Sequence, residues 1–122
     1  MSIIAVMIRI EHRKEDRIPE KRLPYKYHEF IVLLENGDRD TVRCIDISAN
    51  GLSFLSNQRP EDYPPGTQIE LCIDGGRQPL HGIIISSEAT KEGIRESVRL
   101  QHDDNYNDYL TNFNIIVSRI IK

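Results

Sequence analysis

"YKYHEFIVLLENGDRDTVRCIDISANGLSF", residues 25 to 54, alternates runs of aromatic and branched residues with turn formers. The first run suits a pleated, half-buried surface and stops at Asn36-Gly37, a pair that accepts the backbone of a tight hairpin. A strand, a hairpin and a returning strand over Thr41 to Ile47 are therefore expected. Outward from there, Gly51 to Ser56, Thr67 to Asp74, Pro79 to Glu88 and Ile94 to His102 repeat the pattern. They are bounded by "ANG", "RPEDYPPG", "DGGR" and "TKEG". Six short, evenly spaced strands joined by hairpin turns favour an antiparallel barrel or sandwich over a parallel α/β sheet.

The tail changes period. In residues 103 to 121 the apolar Tyr106, Tyr109, Leu110, Phe113, Ile116, Val117 and Ile120 recur at steps of three and four, with Asp103 or Asp104 placed to cap the start. This predicts an amphipathic C-terminal α-helix packed as a lid on the core, with Ile115 and Ile121 off the main stripe. The 122 residues fit one domain. Its expected parts are an N-terminal extension (1–8), a flexible, arginine-bearing segment (9–22), a barrel (23–102) and the helix (103–121).

Composition narrows the class. Hydrophobic residues make up 39% and charged residues 29% of the chain, as in an ordinary folded protein. The net charge of −3 argues against a surface that grips DNA or RNA. From Arg9 to Arg22, however, six basic residues face four acidic ones, leaving ten against fifteen elsewhere. A basic island on an acidic body suits a small anion better than a long polyanion. Cys44 and Cys72 lack metal-ligand spacing and form no disulfide framework, so reduced, packed thiols are expected. The opening "MSIIAVMI" is too short to insert in a membrane and lacks a signal-peptide pattern, which predicts a cytoplasmic protein; Met7 is an alternative start.

"CIDISANGLSF", residues 44 to 54, carries the polar constellation. Strict alternation would turn Ile45 and Ile47 inward and Cys44, Asp46 and Ser48 outward, with Asn50-Gly51 turning the chain where glycine accepts positive φ and close approach of a ligand. Taken alone, D-x-S-x-x-G also describes side chains that merely bond to local backbone. Arg13 and Arg17, four residues apart, each add a planar fork for phosphate oxygens or for the O6/N7 edge of guanine. A carboxylate complements the remaining guanine N–H donors.

R-x-x-x-R at Arg13 to Arg17, about thirty residues before D-x-S-x-x-G at Asp46, Ser48 and Gly51 and ahead of six strands and a helix, resembles the PilZ domain. The resemblance spans roughly residues 9 to 120 and implies a six-stranded antiparallel β-barrel. It also implies binding of the bacterial messenger cyclic di-GMP, with no cofactor. Carried over by position, Arg13 and Arg17 would clamp phosphate and guanine, Asp46 and Ser48 would read a guanine edge, and Gly51 would be the turn residue. His12, Lys14 and Asn50 are further candidates. His12 stands where the family often has another arginine, a position thought to bias binding of one ligand molecule or a stacked pair. In "ESVRLQ", Ser97 and Leu100 depart from the family's late-strand pattern, and Arg99 is not assigned a contact. The resemblance implies a receptor whose segment 9–22 is ordered by the ligand and which signals to an unidentified protein controlling motility, biofilm or virulence.

Other readings have less to rest on. His12, His28, His81 and His102 lie on different elements without paired ligands, so no metal site is expected. Ser48 has no nucleophile-elbow context, so no catalysis is expected either. A barrel for single-stranded nucleic acid would need exposed aromatics in a basic groove, whereas Trp is absent and the eight Phe and Tyr mostly suit the core or the helix. A nucleotide-free adaptor acting through protein contacts is the alternative, and it would need neither arginine.

Overall fold

The computed structural model describes residues 17–56, 63–73 and 79–121. The strands are β1 (Ile18–Pro19), β2 (Glu29–Leu34), β3 (Arg39–Ile47), β4 (Gly51–Ser56), β5 (Gln68–Ile73), β6 (Leu80–Thr90) and β7 (Gly93–Leu100). The described chain ends in an α-helix, α1 (Asp104–Ile121). The sheet runs β3-β2-β5-β6-β7-β4, and β4 pairs back onto β3 to close an antiparallel six-stranded barrel. Closure leaves no free edge among these six strands. Among the described residues, no helix is long and apolar enough to cross a membrane.

All six expected barrel strands are present. Gly37 at φ 92 makes the β2–β3 turn, donating its N–H to Leu34 O at 2.9 Å. The first strand starts later than its composition suggests, because Pro24 leads into a 3-10 turn over Tyr25–Tyr27. Two-residue β1 takes the rungs of β3 beyond the end of β2, pairing Ile18 with Ile47 and Pro19 with Asp46. Proline is tolerated on such an edge because no ladder donor is required of it. Buried Ile18 and Leu23 anchor residues 17–22 to the core. The rest of the expected flexible segment, residues 9–16, lies outside the described residues.

Phe30, Val32, Ile47, Leu52, Phe54, Leu71 and Ile84 fill the barrel at 0–1% exposure, each contributing about 1.5–3 kcal/mol of apolar burial. Helix α1 buries Tyr106, Tyr109, Phe113 and Ile116 in the same cluster. Asp103 caps it by accepting the Tyr106 N–H at 3.0 Å, a bond that holds the Asp103 carboxyl below its usual pKa. Cys44 and Cys72 are free and buried, and burial pushes the Cys44 thiol up to about 12, so it is not a ready nucleophile.

Strict alternation fails at one place that matters. The β3–β4 register runs Cys44 to Phe54 and then Asp46 to Ser53, leaving Ile45 as an extra, bulged residue. Cys44 therefore points inward with Val42, contrary to the alternating pattern, while Ile45 is only partly buried. A second bulge at Ile85 separates the Ile84–Val98 and Ser86–Ser97 rungs of β6 and β7.

Candidate functional site

Beyond the bulges, the outer wall presents one polar row. Asp46 is level with Ser53, Ser53 with Ser97, and Ser97 with Ser86, across β3, β4, β7 and β6. Ser53 and Ser97 hydroxyls lie 3.4 Å apart. Arg17, immediately before β1, lies over this row. Its Nη1 donates to Asp46 Oδ1 at 2.6 Å and reaches Ser53 Oγ at 3.5 Å. Ser53 is fully buried although its hydroxyl belongs to the outer wall.

The structure thus joins Arg17 to Asp46, two residues 29 apart in sequence. Arg95, which sequence reasoning left out, comes to the same carboxylate with Nη2 3.6 Å from Oδ2. The Arg17 side chain is 50% exposed and the Arg95 side chain 39%, against 14% for Asp46: a shielded carboxylate between two wet guanidiniums. Such exposed pairs are worth about 0–1 kcal/mol, so this arrangement exchanges partners at little cost. The signal for Arg95 was weak. Arg95, Ser97 and Arg99 alternate outward, but only the closed barrel brings β7 within reach of β3.

Ser48 has a different role in the turn. Its hydroxyl donates to Gly51 O at 3.0 Å and accepts the Gly51 N–H at 3.1 Å, while the Ser48 N–H donates to Gly51 O at 2.8 Å. Its side chain is committed to turn geometry, as in the bland reading of the motif. Asn50 is exposed, and its carbonyl accepts the Leu100 N–H at 2.9 Å. Gly51 does not adopt the positive φ expected of it; it opens β4 where a Cβ would collide with the Val98 carbonyl oxygen. The close approach is that of β7. His12, Arg13 and Lys14 lie outside the described residues. A 350 Å³ depression lined by Pro19, Lys21, Arg43, Ile45, Leu55 and Arg95 adjoins the Asp46 cluster. Among the described residues, no group of three or more His, Cys, Asp or Glu is arranged to hold a metal ion.

A family model described as the PilZ domain matches residues 11–113. The chain belongs to the PilZ domain family. No curated protein matches it at a significant level. The PilZ fold is also seen in solved structures. The PilZ domain of YcgR from Escherichia coli, solved with c-di-GMP, matches with a TM-score of 0.59 and 19% identity, over 87% of this chain and 90% of that one. PlzA of Borreliella burgdorferi in complex with c-di-GMP gives 0.62 and 11%, over 92% of this chain and 45% of that one. The MrkH–c-di-GMP complex of K. pneumonia gives 0.63 and 14%, over 89% and 52%. This chain therefore spans about half the length of PlzA and MrkH.

Proposed function

We propose that this PilZ domain is a cyclic di-GMP receptor rather than an enzyme, and that Arg17 and Asp46 form the centre of its nucleotide site. The observation that carries this reading is the meeting of the two sequence motifs, R-x-x-x-R and D-x-S-x-x-G, in the 2.6 Å contact between Arg17 and Asp46 on the barrel wall. The solved complexes of YcgR, PlzA and MrkH with c-di-GMP support the choice of ligand.

The chemistry is a partner exchange. An arginine fork matches the guanine O6/N7 edge or a phosphate, and a carboxylate accepts from the guanine N–H donors on the other side. On binding, Arg17 and Asp46 trade a weak mutual pair for ligand bonds of about 1.5–3 kcal/mol each where solvent is excluded. Ser48 and Gly51 shape the turn beside them. Arg13 joins Arg17 on the ligand, with His12, Lys14 and Asn50 as secondary contacts, and binding brings residues 9–16 onto the wall that residues 17–22 already line. The surface so formed is read by a protein partner, the output being control of motility, biofilm or virulence in the bacterial cytoplasm.

Titration calorimetry with cyclic di-GMP, and with GTP as control, tests this. The native chain should release heat with cyclic di-GMP alone, and Arg17→Ala and Asp46→Ala should each weaken binding by at least about tenfold. No heat and no chemical-shift change with the native chain at high micromolar ligand would sink the reading.

A further inference from the structure

The turn between β3 and β4 makes its own internal bonds, but its carbonyls are held from outside. Tyr109 Oη of α1 donates to Ser48 O at 2.6 Å, and Tyr106 Oη donates to Ala49 O at 2.8 Å. The Tyr106 hydroxyl is also 3.5 Å from Asn50 Oδ1, and the Leu100 N–H of β7 closes on Asn50 O. Three successive carbonyls of the D-x-S-x-x-G turn are thus capped by β7 and α1. Both tyrosines are buried; His102 stacks on Tyr106 at 4.1 Å, Phe113 on Tyr109 at 6.2 Å, and the two tyrosine rings meet tilted at 6.1 Å.

A phenylalanine at either position would fill the same apolar volume, so what the hydroxyls add is directional: each ties a helix residue to one turn carbonyl. Burial holds the Tyr109 phenol well above its usual pKa, with Tyr27, Cys44 and Tyr106 adding to the rise and Arg17 opposing it. It remains a donor throughout the physiological range.

We infer that Tyr106 and Tyr109 are positioning residues that join the D-x-S-x-x-G turn and helix α1 into one unit, so that a nucleotide on the turn strengthens docking of the helix. The inference rests on the receptor reading above. Coupling of this kind is reciprocal: whatever grips or releases α1 changes affinity at the turn by the same factor.

The test is amide exchange by NMR together with calorimetry, on the native chain, Tyr106→Phe, Tyr109→Phe, the double variant and Thr111→Ala. Thr111 is the control because its hydroxyl donates to Asn107 O on the exposed side of the same helix. Cyclic di-GMP should slow exchange along α1 in the native chain and in Thr111→Ala. The double variant should lose most of that slowing, and each missing hydroxyl should weaken binding about fivefold. Bound ligand that leaves α1 exchange unmoved, or a double variant that keeps the native response, overturns the inference. If the native chain binds no cyclic di-GMP, the receptor reading falls by itself and the ligand-free proteins decide. Ser48 and Gly51 amides that speed up together with those of α1 in the double variant support the unit, and turn amides that do not move overturn it.

Discussion

Gly51→Ala is expected to lower stability by about 2–4 kcal/mol, since the added methyl overpacks a site with no room to relax. The atom it meets is the Val98 carbonyl oxygen, part of the backbone, and Gly51 is paired with Arg99 on the same ladder. A flexible side chain would swing aside; here β4 and β7 must part. The damage spreads to the turn, because the Gly51 carbonyl accepts from both the N–H and the hydroxyl of Ser48. Urea unfolding followed by circular dichroism should show a lower midpoint with an unchanged slope, and thermal unfolding a drop of about 10 °C. Binding of cyclic di-GMP should be lost even at temperatures where the variant is still folded. A variant with native stability would show that β7 yields easily at Val98, and would return Gly51 to the role of a surface turn residue.

The same glycine shows what the sequence makes legible. D-x-S-x-x-G identifies a turn and a polar cluster, but the reason for its glycine is a contact with a strand nearly fifty residues away, which spacing cannot reveal. Strand positions were accessible because branched and aromatic runs and turn formers are local signals. The inward turn of Cys44 was not, since a bulge adds one unpaired residue and inverts the alternation before it without any mark in composition. Asp46 was placed correctly because Ile47, after the bulge, still points inward. β1 and the anchoring of residues 17–22 were hidden inside a charge-rich run, where only Ile18 and Leu23 pack inward. Arg95 depends on closure of the barrel, and the tyrosine caps depend on where the helix lands. Period thus foretold the helix stripe and the motifs singled out Arg17 and Asp46, while long-range packing decided that the two meet and that Arg95 stands beside them.

One interior position runs against the pattern and leads to the other large expected effect. Glu96 sits on β7 between outward-facing Arg95 and Ser97, opposite Phe54, with no exposed surface. Its Oε2 accepts the Ser87 hydroxyl at 3.0 Å, and among the described residues its Oε1 has no hydrogen-bond partner. Burial pushes its pKa up from 4.5 to about 7, the Ser87 bond opposing the rise. The folded chain therefore holds a proton between these values that the unfolded chain has released. With the unfolded state binding fewer protons, stability falls as pH rises through that window and levels off above it. The full loss is bounded by about 3.5 kcal/mol, from about 1.4 kcal/mol per pKa unit. Glu96→Gln keeps the shape and the Ser87 contact but has no proton to release. Urea unfolding at pH 5, 6, 7 and 8 should give similar stabilities for native and variant chains at pH 5, then a widening advantage for Glu96→Gln, reaching about 1–3 kcal/mol at pH 8. Parallel curves for the two proteins would mean that Glu96 ionises inside the barrel without penalty, which requires a partner for Oε1.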